Sequence, residues 1–113
     1  MSEAGLYRFR NAVLQHWRCI EVGNNKEADA HTSIADEIAR DWESAGQTHN
    51  VLVPLLAEAE PVEVRCAAAI YLLHVGYEDE ALPVLESLAA NDSIGLVASA
   101  AELTLLGWEK RQG

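Results

Sequence analysis

The stretch from Glu60 to Gly76, EPVEVRCAAAIYLLHVG, constrains the fold more than any other part of the chain. It reads as one buried helix with a marked start and a marked stop. Pro61 suits the first helical position, where a missing N–H costs nothing and a fixed φ helps. It also pushes Glu60 out of the α region, so a preceding helix is expected to end near Ala59. Glu60 and Glu63 place negative charge at the helix N-terminus, where the macrodipole favours it. Gly76 is expected at the left-handed position just past the end. Between these limits Val62, Cys66, Ala69 and Leu73 follow the i, i+4, i+7, i+11 spacing of one apolar face. Val64, Ala68, Tyr71 and Val75 make a second. Only Glu63, Ala67 and His74 are left on a narrow wetter strip, so the spacing predicts a helix with neighbours on both sides.

A related pattern returns 31 residues later: RCAAAIYLLHVGY (Arg65 to Tyr77) aligns with LVASAAELTLLGW (Leu96 to Trp108). Ala67 matches Ala98, Ala69 matches Ala100, and Gly76 matches Gly107, each glycine being followed by an aromatic residue. Upstream, VLVPLLAE (Val51 to Glu58) resembles ALPVLESL (Ala81 to Leu88), with Pro54 and Pro83 29 residues apart. A longer turn at Asn91-Asp92-Ser93 accounts for the difference. Each unit is thus expected to be a proline-bent helix, a turn and an Ala-rich buried helix, with both prolines at equivalent places. Two helices per unit at a period of about 30 to 45 residues is a helical-solenoid signature. Two unrelated amphipathic hairpins are the alternative.

In Pro61-Val62-Glu63-Val64-Arg65, followed by Ala67-Ala68-Ala69, the chain resembles HEAT-type repeats. That resemblance implies a role for Arg65, which stands where such repeats commonly carry an arginine bonded to the neighbouring turn. The second unit departs from the pattern: Leu96 replaces the arginine and Gly95 weakens the first turn. Over Asn25 to Gly113 the chain also resembles a bacterial family of small HEAT-like domains of unknown function, a likeness carried by Val53-Pro54-Leu55-Leu56 and Val64-Arg65. The fold expected is all-α, a short right-handed HEAT-like stack of about six helices in antiparallel pairs.

The length of 113 residues fits one domain, 1–113, with a core that needs no staples. Half the residues are hydrophobic, as in a globular chain. Cys19 and Cys66 both fall on apolar helical faces. They are expected as free thiols in a reducing compartment, with a disulfide between them as the alternative. MSEAGLYRFR lacks the apolar core of a signal peptide, and no stretch approaches the roughly 18 apolar residues of a membrane span. Cytoplasmic residence is the expectation. The formal net charge of −10 opposes binding to nucleic acid, whose phosphates require Lys and Arg. It suits a basic protein partner, and it suits plain solubility equally.

In order, the helices are expected at about 3–22, 25–45, 48–59, 61–75, 78–90 and 93–106. Ser2 is expected to cap the first, whose apolar side is Leu6, Phe9, Val13, Trp17 and Ile20, with Gly23 as its stop. Arg8, Arg10 and Arg18 make it the least acidic region. In the second, Ile34, Ile38 and Trp42 are expected inward with Ala35 and Ala45. Asp29, Asp36 and Glu43 recur every seventh residue and are expected outward together, as a binding face or as ordinary wet surface. Thr48 is the expected cap of the third helix, and Asp92 that of the sixth. On the sixth, Ile94, Ala98, Ala101 and Leu105 form a stripe beside a core face of Val97, Ala100 and Leu103. Lying in the last unit, that stripe is either covered by the tail from Trp108 or open to a partner.

Little in the chain points to catalysis. No two of His16, His31, His49 and His74 are spaced i, i+4, and HExxH, CxxC, a Gly-rich phosphate loop and a nucleophile elbow are all lacking. No enzyme, cofactor or metal is expected. Candidate partner-binding residues are Asp29, Asp36, Glu43, Glu60, Glu63, His74, Ile94 and Leu105. With the resemblance, they imply a protein-binding module, a bacterial immunity protein that blocks a basic toxin domain by occlusion. A structural or scaffolding domain, as a homodimer, is the other expectation. A small-ligand or nucleic-acid-processing role is the weakest, because the charge opposes it.

Overall fold

The computed structural model describes residues 3–112 and is all-α. Its helices are α1 (Glu3–Glu21), α2 (Asn25–Ser44), α3 (Thr48–Leu52), α4 (Val62–His74), α5 (Glu78–Ala89) and α6 (Leu96–Gln112). Single 3-10 turns occupy Val53–Leu56 and Asp92–Ile94. The cap expected of Ser2 lies outside the described residues. The chain divides into two compact units, Met1–Val51 and Leu52–Gly113.

In the first unit α1 packs on α2 across a three-residue turn, 22–24, so the two run antiparallel. α1 buries Phe9, Ala12 and Val13, and α2 buries Ala28, Ala35, Ile38, Ala39 and Trp42. The Phe9 and Trp42 rings meet tilted at 54° with centroids 5.3 Å apart. Two inward expectations for α2 fail. Ile34 is 38% exposed, because it stands outside the Ile38 edge of the Ala35–Ile38–Trp42 seam, about 70° from the middle of that seam. Ala45 is exposed because it is the cap residue beyond the last turn.

The third helix differs most from its expectation. The sequence predicts one bent helix to Ala59. Instead α3 tightens after Leu52 into a 3-10 turn that ends at Leu56, and Ala57 is extended. Pro54 has no N–H to continue the α ladder, and α3 is too short to carry the interruption. Pro83 lies inside the longer α5, at an exposed position, so the two prolines are not equivalent. Thr48 is not the cap either. The Val51 N–H donates to the Gln47 carbonyl (3.0 Å), which makes Gln47 the cap and leaves the buried Thr48 hydroxyl without a partner among the described residues.

In the second unit α4 packs on α5, on α6 and on the Val53–Leu56 turn, and α5 packs on α6. α4 accordingly buries Val64, Cys66, Ala68, Ala69, Leu72 and Leu73. Pro61 is its cap residue, with extended ψ of 147°, one position earlier than expected. The Arg65 Nε–H donates to the Leu56 carbonyl at 3.0 Å, tying α4 to the preceding 3-10 turn. Gly76 takes φ of 97° and closes α4 as expected. Its N–H donates to the Leu73 carbonyl (3.2 Å) and that of Tyr77 to the Leu72 carbonyl (2.9 Å), the paired bonds of a Schellman end. Gly23 and Gly46 end α1 and α2 with the same two bonds.

α6 departs from its expected bounds at both ends. Gly95, with φ 59° and ψ −123°, holds a backbone region open only to glycine and separates the Asp92–Ile94 turn from the helix. The side chain that caps that turn is Asn91, which accepts from the Ser93 N–H, and not Asp92. Gly107 does not stop the helix, which runs on through Trp108 to Gln112. The core face also differs: Val97, Ala98 and Ala101 are buried, whereas Leu103 is 69% exposed.

Candidate functional site

The eight candidate residues fall on both units. Asp29, Asp36 and Glu43 belong to α2, where seven-residue spacing returns them to one side of the helix. Asp29 and Glu43 are exposed, but Asp36 is half-buried, because it borders the buried Ala35. In the second unit Glu60 and Glu63 flank the start of α4, and both are half-buried. The Glu60 N–H donates to the Ala57 carbonyl (3.0 Å) and shapes the turn. His74 is exposed at the end of α4, beside the partly exposed Val75 and Tyr77.

For Ile94 and Leu105 the two expectations are a covered stripe and an open one, and the structure lies nearer the first. Both are half-buried, and Ala98 and Ala101, the other members of that stripe, are buried. The stripe therefore faces the core of its unit. The exposed side of α6 instead carries Leu96, Leu103 and Leu106, at 57, 69 and 47% exposure. Their i, i+7, i+10 spacing is visible in the sequence, whereas the likeness of α6 to α4 sets Leu103 opposite Leu72, which is buried.

Two of the groups with chemical potential, His16 and Cys66, are taken up in the packing. His16 Nδ1 stands 2.9 Å from the Ala28 carbonyl oxygen and 2.7 Å from the Thr32 hydroxyl. Both contacts reach from α1 to α2, so the ring ties the two helices together. The buried His31 Nδ1 has no partner among the described residues. Cys19 and Cys66 are free thiols. Burial pushes the Cys66 thiol up to about 11, so it stays protonated and unreactive at neutral pH. Among the described residues no group of three or more His, Cys, Asp or Glu side chains is placed to hold a metal ion. Among the described residues no helix is long and apolar enough to cross a membrane.

No family model, curated protein or solved structure matches the chain. What remains on the exposed surface is, in the first unit, the acids Asp29 and Glu43 of α2 and, in the second, the leucines of α6.

Proposed function

We propose that the chain is a protein-binding module, and most concretely a bacterial immunity protein of the small HEAT-like kind that covers the basic cleft of a cognate toxin. The observation that carries the reading is the net charge of −10, with Asp29 and Glu43 exposed on one side of α2. An acidic surface attracts a basic partner over a Debye length of about 10 Å and raises the rate of encounter. The Arg65 bond to the preceding turn is the bond the HEAT resemblance implies and supports that part of the proposal. Residence in the cytoplasm, where thiols stay reduced, belongs to the same reading and agrees with two free cysteines.

The test pairs the chain with a toxin candidate from the adjacent reading frame. Asp29→Lys with Glu43→Lys is expected to slow association by about an order of magnitude at low salt, with less effect at high salt. Equal association rates for variant and wild type at low salt would remove the α2 face from the mechanism. The second reading, a scaffolding domain that pairs with its own copy, draws on the exposed leucines of α6, but the charge of each copy opposes it.

A further inference from the structure

We draw no further inference here: the strongest candidate, the row of exposed leucines Leu96, Leu103 and Leu106 on one face of α6, carries none, because Lys110 and Arg111 balance Glu102 and Glu109 beside it and nothing in the structure shows what covers it.

Discussion

α4 and α6 look like two copies of one helix in sequence and are used in opposite ways. At aligned positions Cys66 and Val97 are both buried, but Leu72 is fully buried where Leu103 is 69% exposed, and Ala68 is buried where Ser99 is exposed. α4 packs on α5, α6 and a 3-10 turn, so both of its apolar faces are covered. α6 is covered on the side that meets α4 and α5, and its other side keeps leucines. The comparison teaches that an apolar pattern states how much surface a helix is able to bury, while the neighbours present decide how much it does bury.

The largest effect should separate the aligned leucines. Leu72→Ala is expected to cost about 2–5 kcal/mol, as for a fully buried leucine, and Leu103→Ala to change stability by no more than about 0.5 kcal/mol. Denaturant midpoints read both, and equal costs would erase the distinction between the two helices.

A smaller effect separates the aligned residues Cys66 and Val97. The folded-state thiol of Cys66 is raised from 9.0 to about 11 by burial, so above pH 9.0 the unfolded chain ionises first and binds fewer protons than the folded one. Stability attributable to this group is intact below that pH and falls as pH rises, by up to about 1.4 kcal/mol per unit until the folded thiol also ionises. Cys66→Val, which copies α6, should flatten the alkaline limb of a thermal-midpoint profile. An unchanged limb would show that the thiol is not the group responsible.

The smallest effect is a difference of sign. Gly76→Ala forces a side chain onto a φ of 97° and should destabilise by about 1–2 kcal/mol. Gly107→Ala, in a helix interior, should stabilise by about 0.5–1 kcal/mol. Two changes of the same sign would mean that the glycines play one role after all.

The helical class and the end of α4 were legible because each rests on local chemistry: a strong apolar period, and a glycine followed by Tyr77-Glu78-Asp79-Glu80, whose acids favour starting a new helix. The residues after Gly107 are Trp108-Glu109-Lys110-Arg111, and bases late in a helix favour continuing it, so the same glycine was passed through. The break at Pro54 was harder to foresee, since a proline bends a long helix and ends a short one, and the length of α3 is itself the unknown. The candidate acids were legible as a stripe, but the half-burial of Asp36 was not, because it depends on how deep Ala35 sits. The leucines of α6 were hidden for the reason the comparison gives: exposure is a property of the missing neighbour.

The glycine ends at Gly23, Gly46 and Gly76 also bear on how fast the chain folds. At Gly23 and Gly76 the chain reverses direction within three residues, so much of the packing joins helices that are neighbours in sequence, α1 with α2 and α4 with α5. Little loop entropy is lost before such contacts form, and folding should fall in the microsecond-to-millisecond range of helical proteins with local contacts. A newly made chain would then close each hairpin soon after its second helix emerged, leaving its apolar faces uncovered only briefly.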